Sequence, residues 1–186
     1  MGSGLGRRGE PSWRAKNCSL MSRGFVKESD QEPEPFVPPR AVLPEGATNY
    51  VTARGLRLLY GEREMLEGRR ADLGDTTEDE ARRELGVITK QLLALNARIA
   101  SAREVEAADV DEAEVRFGAT VTYRMAGAKK AVSVAIVGVD EANFKEKRVS
   151  FLSPVARALV GKRAGEGGVL EVGGVERRFE VVGVEY

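Results

Sequence analysis

The apolar residues of this chain keep two different periods, and the change from one to the other near residue 109 limits the fold more than any other feature. Between residues 85 and 102 the apolar positions are Leu85, Ile88, Leu92, Leu95, Ile99 and Ala102, in alternating steps of three and four. That is the spacing of a coiled-coil seam. Upstream, Leu56, Leu59, Leu66 and Leu73 fall on one side of a helix opened by Thr52-Ala53-Arg54-Gly55. This helix is less regular: Arg63 and Arg70 occupy seam positions, and Gly61 and Gly68 each cost about 1 kcal/mol against alanine. Packing against a neighbour has to hold it. The short stretch between the two helices forces them to lie antiparallel, so residues 52–103 are expected to form a helical hairpin. Its tip lies near residues 74–80 and its second arm is about 40 Å long.

Beyond Asp109 the period becomes two. Val121, Tyr123 and Met125 alternate with Thr120, Thr122 and Arg124, and Val132, Val134 and Ile136 do the same after a turn at residues 127–130. Residues 148–152 read as a third strand. Pro154 sits where the first turn of a helix tolerates it, so residues 155–160 read as a short helix ended by Gly161. Residues 169–172 and 177–186 pair across Gly173-Gly174, and a slip of apolar phase between Val181 and Val182 predicts a bulge. The expected fold class is α+β: an N-terminal antiparallel coiled-coil hairpin, then a small twisted antiparallel β-sheet domain with one short helix across it.

Composition narrows the chemistry. Lys plus Arg and Asp plus Glu both count 29, so no net field draws the molecule onto nucleic acid or an acidic membrane. The single cysteine, Cys18, excludes an internal disulfide and a thiolate zinc cluster, and the absence of histidine removes the commonest metal ligand and general base. The expectation is a protein that is not itself an enzyme. No apolar run approaches the length of a membrane span and no secretion signal opens the chain, which points to the cytoplasm.

The chain divides into four stretches. Residues 1–20 hold the only Trp and the only Cys, show no periodicity and stop before Met21, so they read as a foreign or disordered extension with Met21 as the true start. The competing reading is a basic arm in which Arg7, Arg8, Arg14 and Lys16 touch phosphate. Residues 21–49 carry Pro33, Pro35, Pro38, Pro39 and Pro44 and read as an extended linker or a tail wrapped on a surface. Residues 50–104 are the hairpin and 111–186 the sheet domain.

Two separated blocks, Val115-Arg116-Phe117-Gly118-Ala119-Thr120-Val121 and Ser153-Pro154-Val155-Ala156-Arg157-Ala158-Leu159-Val160-Gly161-Lys162, resemble the C-terminal signatures of the Gre family of bacterial transcription elongation factors (GreA/GreB). Residues 136–142 and 179–186 look like two further blocks of that family, and the likeness runs over residues 52–186. The resemblance implies a coiled coil joined to an FKBP-like domain. It further implies a monomer whose partner is RNA polymerase, with indirect contact to nascent RNA or DNA. In such factors the globular domain docks at the rim of the polymerase's secondary channel and the coiled coil reaches inward. Two tip carboxylates there help hold the polymerase's second magnesium ion while backtracked RNA is cut.

At the tip, Asp75 and Glu78 reproduce the family's Gly-Asp-x-x-Glu spacing, whereas Asp79-Glu80-Ala81-Arg82 replaces the family's Asn-Ala-acidic-Tyr pattern. Carboxylates suit magnesium, a hard ion that keeps several waters and takes one or two side-chain oxygens. A structural account competes: Thr77 with Glu80 forms a capping box, and acidic residues in a first turn are favoured by the helix dipole. The chain implies no cofactor of its own and no metal of its own. The hairpin looks about two turns per arm shorter than in cleaving Gre factors, roughly 11 Å less, which keeps open a non-cleaving polymerase modulator of the Rnk kind. A stand-alone FKBP-like peptide-binding module is the reading from another class.

For polymerase docking, the resemblance points to the loop 140–147 and the turn after it: Asp140, Glu141, Ser153, Pro154 and Arg157. Lys145, Lys147, Arg148, Arg157, Lys162 and Arg163 form a basic cluster that reads either as a partner surface or as a solvated face. Gly161-Lys162 lacks the earlier glycine and the subsequent Ser or Thr of a phosphate loop. The aromatic residues Phe117, Tyr123, Phe144, Phe151, Phe179 and Tyr186 look scattered, so no proline pocket and no prolyl isomerase activity are expected.

Overall fold

Thr52 starts the first helix as its spacing predicts: its hydroxyl accepts the Gly55 backbone N–H at 2.9 Å, and helix α1 runs over Ala53–Leu73. The computed structural model describes residues 36–74, 78–106 and 114–186. Helix α2, Asp79–Ser101, returns alongside α1. Leu59 and Leu95 are buried between the arms, with Leu56, Leu66 and Ile99 packed on them, and Arg69 bridges to Glu84 at 2.7 Å. Those partners rise along one helix and fall along the other, so the hairpin is antiparallel. Its 23-residue second arm spans about 34 Å, shorter than the 40 Å predicted, because the helix starts only at Asp79 and Ala102 has already left it.

Ala102 belongs instead to a strand that the sequence did not announce. Strand β1, Asn49–Val51, pairs in parallel with β2, Ala102–Glu104, and closes the open end of the hairpin. Asn49, almost fully buried, donates from its side chain to the Arg98 carbonyl at 2.9 Å and to the Ser101 hydroxyl at 3.1 Å. It thereby satisfies a carbonyl in the last turn of α2, where intrahelical donors run out.

The sheet domain has five strands in the order β5-β4-β3-β7-β6: β3 Thr120–Met125, β4 Val132–Val137, β5 Arg148–Ser150, β6 Gly167–Val172 and β7 Val175–Glu185. All neighbours are antiparallel except β4 and β5, which run parallel and correct the expectation of a wholly antiparallel sheet. The chain from β4 crosses back through a 3-10 turn, Phe144–Glu146, before β5 begins, and that return sets the direction. The predicted bulge is present. Thr122 faces Gly183 and Tyr123 faces Val181, so Val182 is skipped between them. Helix α3, Pro154–Leu159, lies against the sheet, with Ala156 and Leu159 buried among Val115, Val121, Ile136, Leu170 and Val181. No helix among the described residues is long and apolar enough to cross a membrane.

Candidate functional site

The base of the hairpin is joined to the sheet domain by buried polar groups and by one close backbone approach. Thr52, having accepted the Gly55 N–H, donates its own hydroxyl to Glu141 at 2.6 Å. The other Glu141 oxygen takes a short charge-assisted bond from Arg148. Glu141 is only 6% exposed, so this acceptor-only side chain has both oxygens satisfied inside the protein. A Cβ on Gly55 would stand 2.8 Å from Glu141 Oε2, and one on Gly138 would stand 2.7 Å from the Tyr50 carbonyl oxygen. Glycine at both places lets α1 and β1 sit directly on the loop after β4.

Tyr50, Phe117 and Phe151 meet with ring centroids 5.7–5.8 Å apart in tilted and edge-on pairs. This corrects the expectation that the aromatic residues are scattered. Phe117 and Phe151 come from the sheet domain, and Tyr50 from the hairpin base packs against both. The cluster is thus a seam within the chain.

Two of the predicted docking residues face inward. Asp140 receives Arg40 at 3.1 Å and Arg98 at 3.3 Å, and Glu141 receives Thr52 and Arg148. Both carboxylates hold the hairpin to the sheet domain. Arg148 likewise leaves the basic cluster, its side chain being 16% exposed. Lys145, Lys147, Arg157 and Arg163 are exposed, and Lys162 is half-buried.

The remaining predicted residues stand at one end of β5, an edge strand. Ser153 caps α3 by accepting the Ala156 N–H at 3.2 Å, Pro154 occupies the first turn with its ring exposed, and Arg157 is exposed farther along the helix. At the other end of β5, about 10 Å away at 3.3 Å per residue, the 3-10 turn holds Phe144, which is 93% exposed. The turn is firmly built. Asn143 accepts the Lys145 N–H at 3.0 Å, Lys147 closes it in a left-handed conformation at φ 56°, and Arg54 of α1 bridges to Glu146 at 3.3 Å. A phenyl ring held in water on an ordered turn is a feature that residue-by-residue reading of the sequence misses. The one signal for it is its place in Asn143-Phe144-Lys145, outside the two-residue period that buries side chains on the sheet.

At the tip, Asp75 and Thr77 lie outside the described residues. Glu78 is exposed at the N-cap of α2 and makes no side-chain cap bond to the helix. The helix therefore begins one residue later than a Thr77–Glu80 capping box requires. Asp79 and Glu80 fill the first turn, and Asp79 pairs with Arg82 at 3.4 Å. Among the described residues no group of three or more carboxylate, thiol or imidazole ligands converges on a metal position. Exposed carboxylates such as these are hard oxygen donors of the kind magnesium takes.

The family model described as transcription elongation factor, GreA/GreB, C-term matches residues 110–186. Transcription elongation factor GreA of Vibrio vulnificus is 34% identical over 151 residues, covering 73% of this chain and 96% of that protein. The GreA of Methylococcus capsulatus is 36% identical over 117 residues, 62% of this chain and 74% of that one. Among solved structures, the GreA/GreB elongation factor of Nitrosomonas europaea is similar at 18% identity. It covers 75% of this chain and 99% of that chain with a TM-score of 0.38.

Proposed function

Because this chain belongs to the GreA/GreB family of transcription elongation factors, we propose that it binds RNA polymerase in the bacterial cytoplasm and acts through the secondary channel without chemistry of its own. The observation that carries this reading is the two-helix hairpin fixed at its base to a Gre-type sheet domain. A narrow pore admits two packed helices, and a stiff joint keeps them aimed.

In this reading the docking edge is β5 with its two flanking turns: Phe144 on one side, Ser153, Pro154 and Arg157 on the other. Asp140 and Glu141 support docking indirectly, by holding the hairpin in place. At the far end Asp75 and Glu78 lend carboxylate oxygens to the polymerase's magnesium. An ion held there would orient a water toward the RNA phosphate; the chain contributes the ligand, its position at the end of a stiff arm, and exclusion of solvent from the channel.

The test is a stalled, backtracked transcription complex given the purified protein. Magnesium-dependent shortening of the RNA from its 3′ end, lost in Asp75→Asn with Glu78→Gln, supports delivery of carboxylates by the tip. Arms of 21 and 23 residues, short beside those the resemblance implies for cleaving Gre factors, support a second reading, in which the hairpin occupies the channel without reaching the active centre. Altered elongation with no shortening of RNA selects it. Absence of any binding to polymerase removes both.

A further inference from the structure

Arg40 forks between carboxylates on two different parts of the molecule. It donates to both oxygens of Glu62 on α1, at 2.7 and 3.0 Å, and twice to Oδ1 of Asp140 in the sheet domain, at 3.1 and 3.2 Å. The second Asp140 oxygen faces Arg98 of α2 at 3.3 Å, and Arg98 in turn donates a short bond to the carbonyl of Ala41. Four pieces of chain therefore meet in one ionic knot: the proline-rich segment, both helices and the loop after β4.

The knot is shielded on its Asp140 side, while Glu62 is 37% exposed. Arg40 is 20% exposed, and Arg98 and Asp140 11% each, so salt screens these pairs less than surface ones. The hydrogen bond that Arg40 donates to Glu62, with the charges of Glu62 and Asp140, outweighs burial and holds the Arg40 guanidinium above its ordinary range. Around the knot, Val37, Pro38 and Pro39 line one cleft together with Ala94 of α2, and Leu43 lines another with Ala97 and Ser101. Pro38 and Pro39 fix the backbone immediately before Arg40 and lower the entropy lost in placing it.

We propose that residues 36–46 form a clamp that sets the direction in which the hairpin leaves the sheet domain, with Arg40 as its positioning residue. Four contacts near the base, the Thr52–Glu141–Arg148 chain, the Tyr50 seam, the Arg54–Glu146 bridge and the Arg98–Asp140 pair, fix where the hairpin attaches. Arg40 adds a point farther along α1, at Glu62, and ties it back to Asp140. Leverage makes that point matter: over an arm of about 31 Å, a tilt of about 10° moves the tip by about 5 Å.

Nitroxide labels at Glu80→Cys near the tip and Lys129→Cys in the β3–β4 turn, in a Cys18→Ser background, report the angle as a distance distribution by pulsed electron paramagnetic resonance. The clamp predicts one narrow distribution, at least doubled in width or shifted by Arg40→Gln with the far-ultraviolet circular dichroism unchanged. Arg40→Lys, which keeps the charge but cannot span two carboxylates, broadens it as well. A distribution that is the same in Arg40→Gln as in the parent overturns the proposal. Should Arg40→Gln unfold the chain, Glu62→Gln severs only the strap-to-α1 half of the fork and decides by the same readout. No polymerase is present, so this outcome stands whatever becomes of the proposed function.

Discussion

Gly138 lies so close to Tyr50 that a single added carbon would stand 2.7 Å from the Tyr50 carbonyl oxygen. The obstacle is backbone, in a residue whose strand is paired on one side and whose ring packs against Phe117 and Phe151. Neither partner can turn away. Gly138→Ala should therefore lower stability by about 1–3 kcal/mol, the usual cost of overpacking, read as a fall in the urea midpoint. An unchanged midpoint would mean that hairpin base and sheet domain are not in firm contact.

Gly55→Ala sets two effects against each other. Alanine favours the helix by about 1 kcal/mol over glycine, but its Cβ would reach to 2.8 Å from Glu141 Oε2. A side-chain end can normally swing aside; this one is held by Thr52 and Arg148 and is buried. Displacing it leaves a buried charge without its partners, a cost of about 3–5 kcal/mol for a broken buried pair. The expected sign is a net loss, seen as a lower melting temperature. In a Glu141→Ala background the same substitution should turn neutral or stabilising.

Phe144 and Glu141 separate docking from folding. Phe144→Ala removes a ring that is 93% exposed, so stability should stay within about 0.5 kcal/mol of the parent, while affinity for polymerase falls severalfold in a binding titration. Glu141→Ala should do the reverse in order of cause, lowering the melting temperature first and binding only as the hairpin loosens. Equal affinity of Phe144→Ala and the parent would remove the 3-10 turn from the docking edge.

Burial raises the pKa of Tyr123 above its ordinary value of about 10. The folded state resists forming the phenolate, so its contribution is complete below about pH 10 and is lost as pH climbs through the higher folded value. Alkaline unfolding curves should show stability dropping above about pH 10. Tyr123→Phe should flatten that limb, and an identical limb in the two proteins would contradict the burial of this hydroxyl.

Apolar periodicity makes legible those parts of the fold that rest on one-sided burial. The α2 seam through Ile88, Leu92 and Leu95, the alternation of Val121 and Tyr123, and the skipped Val182 all depend on which face meets the core. Strands β1 and β2 did not show, because three residues are too few to display a period. The parallel placement of β5 also stayed hidden, since direction depends on how the chain returns after Val137 and not on side-chain pattern. At the candidate site, carboxylate identity was legible and orientation was not: Asp140 and Glu141 look free to meet a partner in the sequence until Arg40, Arg98 and Arg148 are seen to approach them from other elements. Phe144 escaped for the opposite reason, an aromatic residue that the fold leaves outside.

A photo-crosslinker at Glu80, exposed in the first turn of α2, reports where the hairpin tip goes when the labelled protein is added to a backtracked transcription complex. Crosslinks are expected to the extruded RNA 3′ end or to the polymerase surfaces lining the secondary channel, lost when the channel is blocked. Crosslinks confined to the outer surface of the polymerase, with the protein still bound, would contradict entry of the hairpin into the channel.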